Sequence, residues 1–230
     1  MTPQRLRITY RKTAEAHGLN AGGLSRAWVE AFECAGMPLA RPEGSKRRRI
    51  EAGPPLPQGA TGEREILDVL LEPAVVPADA LEPLIRALPA GLVPVEVEEI
   101  GDRLPSIQAS MRSARYRISF DRAAVDATAL AARVEALLAL QTLPIEELRG
   151  ERLRKLDLRP LIYGLAVRTE DDRVVVEAHL ALSQEHSARP TTLLAALGIT
   201  AAPLELLRTA IEVETPRIAL RAWRERGRFQ

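Results

Sequence analysis

The sequence predicts an α+β fold built from two ferredoxin-like (βαββαβ) halves with antiparallel sheets. Residues 5–100 alternate between β-rich and helical segments in the order strand, helix, strand, strand, helix, strand. Residues 114–120 then repeat the spacing and chemistry of residues 5–11, so the pattern starts again. Two further apolar runs, 158–167 and 174–182, flank a charged turn and predict a β-hairpin.

In the first half, residues 5–11 alternate basic and apolar side chains, which is typical of an amphipathic strand. An apolar stripe predicts a helix that stops at Gly36 and Pro38. Residues 53–59 must be irregular because their three prolines lack a backbone donor. The predicted strands are 5–11, 46–52, 64–71 and 92–100, and the predicted helices are 24–37 and 77–88. We assign this half to residues 1–103.

The second half, residues 104–230, repeats the same order with one variable stretch at 143–152. Asp126 or Thr128 is suited to cap a helix that runs to Leu140. The other predicted elements are the strand 114–120, the hairpin 158–182, helical segments at 191–197 and 204–209, and a last strand at 210–214 or 217–222.

Composition excludes several classes of protein. The chain has no apolar run long enough to span a membrane, and its basic N-terminal residues are not followed by the apolar region of a secretory signal, so we expect a cytoplasmic protein. The single cysteine, Cys34, excludes a disulfide framework, an iron–sulfur cluster and a cysteine-rich zinc site. The histidines His17, His179 and His186 lack the spacing of metal ligands. We therefore expect neither a metal nor another cofactor.

Several short motifs together resemble one known family. They are R-x-R-x-x-Y at 5–10, E-G followed by basic residues at 43–49, P-P-L-P-x-G at 54–59, D-L-R-P-L-I at 157–162, S-A-R-P at 187–190 and L-R-T at 207–209. The chain resembles the radical-SAM-linked proteins, a domain of unknown function that occurs alone or fused behind a cobalamin-binding radical SAM enzyme, often encoded near ribonuclease G. The resemblance implies a radical SAM enzyme as partner and RNA as a candidate ligand. A chain with one cysteine cannot itself hold the radical SAM cluster.

The sequence departs from this family at two places. Residues 20–24 lack the histidine and aspartate that family members carry before the first helix, and residues 44–47 lack an aromatic residue and a proline. A ligand that relatives hold with those residues would be bound differently here, or not at all.

A cluster of charged residues follows in the second half. Lys155, Asp157 and Arg159 alternate, so an extended chain would put them on one face. Arg159 and Arg189 would then hold an anionic ligand, with Asp157 orienting one guanidinium group. The alternative is a structural ion-pair network without a ligand.

A run of four basic residues that includes Lys46, Arg47 and Arg49 is the second candidate anion or RNA site. It lies in residues 1–60, which carry a net charge of +5, whereas residues 61–110 carry −7. The alternative is a solvated edge strand whose charges prevent pairing with other sheets.

We weigh three functional hypotheses. The first is an accessory protein of a radical SAM enzyme system that binds RNA, another anionic substrate or the enzyme itself. The second is a small transferase-like enzyme with its own anion site near Asp157 and Arg159, and the third is an interaction module without a ligand. The sequence contains no G-x-S-x-G, P-loop or G-x-G-x-x-G motif, so no catalytic residue is predicted and we favour a protein without catalytic activity. The oligomeric state is not predicted.

Overall fold

The computed structural model describes residues 3–40, 50–101, 103–149 and 152–214. These residues form a mixed α+β structure whose strands pair mostly antiparallel, which confirms the predicted α+β class. They divide into two compact units: the first includes the described residues up to Leu56 and Thr61–Met111, and the second includes Pro57–Ala60 and Arg112–Glu212. Among the described residues, no helix is long and apolar enough to cross a membrane.

The first unit follows the predicted order of elements closely. Its elements are β1 (Gln4–Lys12), α1 (Ala21–Cys34), β2 (Ile50–Ala52), β3 (Thr61–Leu71), α2 (Pro77–Ala87), β4 (Leu92–Glu99) and the short α3 (Ile107–Ser110). The sheet order is β4-β1-β3-β2, and each neighbouring pair is antiparallel. Helix α1 starts earlier than predicted because the Asn20 side chain accepts a hydrogen bond from the Gly23 amide and caps it. Of the predicted strand 46–52, residues 46–49 lie outside the described residues.

The core of the first unit lies on one face of its sheet. Leu6, Ile8 and Tyr10 alternate along β1 and are buried against the helices. Tyr10 meets the buried Trp28 of α1 edge to face, with 5.2 Å between ring centroids.

The opposite face of β1 carries a buried ion-pair network. Arg5 Nη2 lies 2.7 Å from Asp68 Oδ2, and Arg7 binds both oxygens of the same carboxylate at 2.8 and 2.9 Å. Arg5 also donates to the carbonyls of Leu104 and Pro105. Burial lowers the pKa of Arg7, but the hydrogen bond and charge of Asp68 outweigh it and raise the pKa overall. The network therefore holds three charges in place without a ligand.

The second unit contains one element pair that the sequence did not predict. Its elements are β5 (Met111–Asp121), α4 (Ala127–Ala139), β6 (Pro144–Arg149), β7 (Arg152–Asp157), β8 (Ile162–Glu170), β9 (Arg173–Ala181), α5 (Pro190–Ala196) and β10 (Glu205–Val213). The sheet order is β10-β5-β9-β8, and β6 and β7 form a separate two-stranded antiparallel sheet. This hairpin covers most of the variable stretch 143–152 and extends beyond it to Asp157.

Two predictions for this unit were wrong. Residues 204–209 do not form a helix, because Glu205–Val213 is the strand β10, in which the buried Leu206 and Arg208 alternate with half-buried residues. The predicted strand 158–167 begins only at Ile162, because Arg159–Leu161 is a 3-10 turn. Pro160 lies within that turn and cannot donate to a strand ladder.

Candidate nucleic-acid interface

The sheet of the second unit has an accessible groove of about 540 Å³ on the face that carries Glu177 and His179 of β9. Because side chains alternate along a strand, this face is opposite to the one that carries the buried Val176 and Ala178. We call it the Tyr163 face and define it by six groove-lining residues: Arg115, Arg117, Tyr163, Gly164, His179 and Thr209.

Tyr163 is the exposed aromatic residue of this face. Its exposed fraction is 56%, and its ring meets the His179 ring edge to face at a centroid distance of 5.3 Å. It lies at a register shift of β8 between Ile162 and Gly164. Gly164 has no side chain and so leaves the groove open. A Cβ at this position would fit without a clash, at 3.6 Å from the Cβ of His179. A planar ligand can therefore reach the tyrosine ring.

Three arginine–glutamate pairs surround the groove. Arg115 Nε lies 2.7 Å from Glu212 Oε1, and Arg168 Nε lies 3.1 Å from Glu177 Oε2. Arg117 pairs with Glu170, which is the third pair. Each positive charge is thus matched by a negative one, so these pairs add no net charge to the face. A phosphate bound here would have to replace a carboxylate on an arginine.

Ser113, His179 and Glu212 meet beside the groove. The Ser113 hydroxyl donates to Glu212 Oε2 at 2.7 Å, and His179 Nε2 lies 2.8 Å from Ser113 Oγ and 3.1 Å from Glu212 Oε2. In a hydrolytic triad, one imidazole nitrogen binds the nucleophilic hydroxyl and the other nitrogen binds the carboxylate. Here His179 Nε2 lies within hydrogen-bond distance of both the hydroxyl and the carboxylate. Ser113 is also only 2% exposed. The three residues therefore do not form a catalytic triad.

This cluster nevertheless favours an ionised Glu212. The hydrogen bond from Ser113 lowers the pKa of Glu212, burial opposes this effect, and the hydrogen bond from Arg115 and the charge of His179 lower the pKa further, so that the net shift is downward.

The predicted pair Asp157 and Arg159 binds the main chain. Asp157 Oδ1 accepts hydrogen bonds from the amides of Leu143, at 2.7 Å, and Arg159, at 3.0 Å. The Arg159 guanidinium donates to the carbonyls of Leu138, Leu140 and Ile162 at 2.9–3.2 Å. The Asp157 carboxylate thus binds the backbone amide of Arg159, and the Arg159 guanidinium group binds the carbonyls at the carboxyl end of α4.

The other predicted site residues are dispersed. Lys155 lies on β7, where its Nζ is 3.2 Å from Glu146 Oε1 on an exposed part of the hairpin. A shallow groove of about 470 Å³ runs along this hairpin and includes Asp157. Arg189 is the N-cap residue of α5. Lys46, Arg47 and Arg49 lie outside the described residues.

The sequence did not indicate the Tyr163 face. Aromatic residues make up only 3% of the chain, a composition that does not favour binding by stacking, and Tyr163 lies within the apolar run 158–167 that predicts one strand of a hairpin. Its position directly before Gly164 is the one local signal of a groove. Within the described ranges, no group of three or more histidine, cysteine or acidic side chains is placed to bind a metal ion.

Comparisons with known proteins show the family. No curated protein matches the chain. A solved structure titled "Crystal Structure of a Cbf5-Nop10-Gar1 Complex" is similar at 14% identity and a TM-score of 0.47, over 90% of this chain, which spans only 48% of that one. A second, titled "Crystal structure of putative glycine cleavage system transcriptional repressor", is similar at 12% identity and a TM-score of 0.24, over 90% of this chain and 99% of that one. Residues 5–190 match the family described as "Uncharacterized protein conserved in bacteria (DUF2344)", and the chain belongs to this family.

Proposed function

We propose that this protein binds single-stranded RNA on the Tyr163 face and has no catalytic activity of its own. The observation that carries the proposal is the exposed Tyr163 ring above a groove that Arg115 and Arg117 also line. Sequence-specific RNA-binding domains with open sheets stack unpaired bases on aromatic side chains in the same way. A groove of about 540 Å³ lies within the size range of small-ligand sites and admits a nucleotide.

The ion pairs of the face determine how its RNA affinity depends on salt. Two arginines that exchange a glutamate for a phosphate would neutralise at most two phosphates, and the displaced glutamates stay charged, so the log–log salt slope should be no steeper than about −1.4 for single-stranded RNA. Stacking of one base on tyrosine contributes about 1–3 kcal/mol and depends little on salt. The Tyr163 face should therefore bind by stacking first and by phosphate contacts second.

The strand orders β4-β1-β3-β2 and β10-β5-β9-β8 support the further proposal that both units are copies of one ferredoxin-like unit. In this proposal the hairpin of β6 and β7 is an insertion in the second copy. The assignment matters for function because a ferredoxin-like sheet has helices on one face only, which leaves the other face available to a ligand.

The association with a cobalamin-binding radical SAM enzyme, which the sequence motifs suggest, is also a proposal. The RNA-binding face would then hold the substrate of the partner enzyme. Co-expression of the two proteins followed by size-exclusion chromatography tests it: co-elution supports the association, and separate elution of both folded proteins rejects it.

The RNA proposal is tested by fluorescence anisotropy with a labelled ten-nucleotide RNA. We expect Tyr163→Ala to weaken binding at least tenfold, and Tyr163→Phe to retain it because the ring remains. Leu204→Ala removes an equally exposed apolar side chain and serves as the control. Unchanged binding by Tyr163→Ala would overturn the assignment. A loss of binding confined to a variant of Lys46, Arg47 and Arg49 would place the site on the basic run instead.

A further inference from the structure

The charges of the Tyr163 face are better suited to the edge of a base than to a phosphate. Arg115, Arg117 and Arg168 each pair with a glutamate, so a phosphate that approaches them meets the negative charge of the carboxylates. An uncharged base meets no such repulsion and can bind donors and acceptors without breaking an ion pair. The preference of the face among bases therefore depends on the hydrogen-bonding groups that line the groove.

Small side chains on β8 keep the groove open beside two polar residues of β9. Gly164 lies opposite His179, and Ala166 lies opposite Glu177 in the β8–β9 ladder. All four residues line the groove, and the Tyr163 ring stands beside His179. Glu177 is two residues from His179 along β9, which is about 7 Å at the usual rise of a strand. This spacing is comparable to the length of a purine, so a base that stacks on Tyr163 lies within reach of Glu177.

Glu177 can accept further hydrogen bonds while it keeps its ion pair. Arg168 Nε donates to Glu177 Oε2 at 3.1 Å, and among the residues that the structure describes no other donor binds this carboxylate. An ionised carboxylate has two oxygens and about four lone-pair sites. The Glu177 side chain is also 42% exposed, so a ligand can reach it from the groove. A base can therefore bind Glu177 without displacing Arg168.

A carboxylate discriminates between bases because it only accepts hydrogen bonds. Guanine carries two donors side by side on its Watson–Crick edge, N1–H and the N2 amino group, and these can bind both oxygens of one carboxylate. Adenine and cytosine each have an acceptor nitrogen beside the amino group, and uracil has one N–H between two carbonyls. Each of these three bases would set an oxygen or nitrogen lone pair against the Glu177 carboxylate. Guanine is thus the base whose edge matches Glu177.

Arg115 is placed to bind the neighbouring edge of the same base. It lies opposite His179 on β5 and lines the groove. Its Nε pairs with Glu212, which, within the part of the chain that the structure describes, leaves the two Nη nitrogens for another acceptor. Arginine commonly binds O6 and N7 of guanine with two hydrogen bonds. Because O6 lies between the two edges of guanine, one base can contact Glu177 and Arg115 together.

We propose that the Tyr163 face selects guanine and that Glu177 is the residue that determines this preference. The inference rests on the proposed RNA binding and adds the identity of the base. The guanine ring stacks on Tyr163, its N1 and N2 groups donate to the Glu177 carboxylate, and its O6 and N7 accept from Arg115. The RNA that binds carries an unpaired guanine, because pairing with cytosine occupies the same N1 and N2 donors.

The base preference is measured by fluorescence anisotropy of the whole protein with four labelled RNAs. Each is a ten-nucleotide oligouridine whose central position carries guanine, adenine, cytosine or uracil. We expect the guanine RNA to bind at least tenfold more tightly than the other three. Inosine at the same position lacks the N2 amino group and should lose most of this preference. Equal affinity for the four RNAs would overturn the guanine assignment and leave RNA binding intact, whereas absence of any RNA binding would overturn both proposals.

Two variants test the role of Glu177. Glu177→Gln replaces one acceptor oxygen by a donor, so the guanine preference should fall below about threefold while binding of the uridine RNA persists. Glu170→Gln is the matched control, because it makes the same change of charge and frees Arg117, but Glu170 is not among the groove-lining residues. It should keep the guanine preference. An undiminished preference in Glu177→Gln would overturn the assignment. Tyr163→Ala should weaken all four RNAs, so failure of this inference and failure of the RNA proposal are distinguishable.

Discussion

Replacement of Arg159 by alanine tests whether this residue holds the second unit together or binds an anion. Its guanidinium group donates to three backbone carbonyls, those of Leu138, Leu140 and Ile162. Two of these carbonyls lie at the carboxyl end of α4, where helix carbonyls lack intrahelical partners and the helix dipole favours a cation. We therefore expect Arg159→Ala to lower the stability of the protein.

The magnitude follows from the contacts that are lost. A hydrogen bond to a charged group contributes about 1.5–3 kcal/mol when it is buried. Arg159 is half-buried and water can reach some of the carbonyls in the variant, so the three contacts together should contribute about 2–3 kcal/mol rather than their full sum. For a chain of this size, that loss lowers Tm by about 4–12 °C.

Differential scanning calorimetry and urea unfolding measure this change. Arg168→Ala is the matched control, because its ion pair with Glu177 is exposed and should contribute less than about 1 kcal/mol. Arg159→Lys keeps the positive charge but lacks the planar guanidinium group that donates to several carbonyls at once. It should therefore recover only part of the stability that Arg159→Ala loses. An Arg159→Ala variant with unchanged Tm and weakened RNA or phosphate binding would refute the structural role and support an anion site.

Three further substitutions have defined outcomes. Asp68→Asn leaves the largely buried guanidinium groups of Arg5 and Arg7 without their carboxylate. We therefore expect the free energy of unfolding, measured with urea, to fall by about 3–5 kcal/mol. Gly91→Ala places a Cβ 2.5 Å from the Ala16 amide nitrogen at a φ of +87°, which should cost about 2–4 kcal/mol by the same measurement. Glu212→Gln removes a carboxylate whose folded pKa is lowered, so the Tm difference from wild type should be largest above the ordinary glutamate pKa of about 4.3 and should shrink as the pH falls below it.

Two of these predictions have a control variant, and the third has an outcome that would contradict it. Glu82→Gln breaks only an exposed pair with Arg86 and should change stability by less than about 0.5 kcal/mol. Gly59→Ala has a similar φ of +75° but open space around the new Cβ, so it isolates the backbone cost from the clash at Gly91. A Tm difference for Glu212→Gln that does not change with pH would show that its ionisation makes no contribution to folding.

Much of the fold was predictable because its signals are local. The alternation of Leu6, Ile8 and Tyr10 places them on one face of β1 whatever the rest of the chain does. The apolar stripe of α2 and the proline at its first position predict a helix in the same way. The segment 204–209 has no such signal, because clustered leucines are compatible with either helix or strand. The segment forms a strand, β10, and not a helix because it pairs with β5.

The sequence alone determined the α+β class, the order of elements in the first unit and the absence of a cysteine-based cluster. The roles of the charged residues were decided only by tertiary structure. Arg159 was predicted either to hold an anion together with Arg189 or to belong to a structural ion-pair network, and the structure shows its guanidinium group bound to carbonyls of α4, about twenty residues away in sequence. The accessibility of the Tyr163 ring depends in the same way on which strands lie side by side. A residue's partners are set by distance in space, and sequence spacing specifies that distance only within one helix or strand.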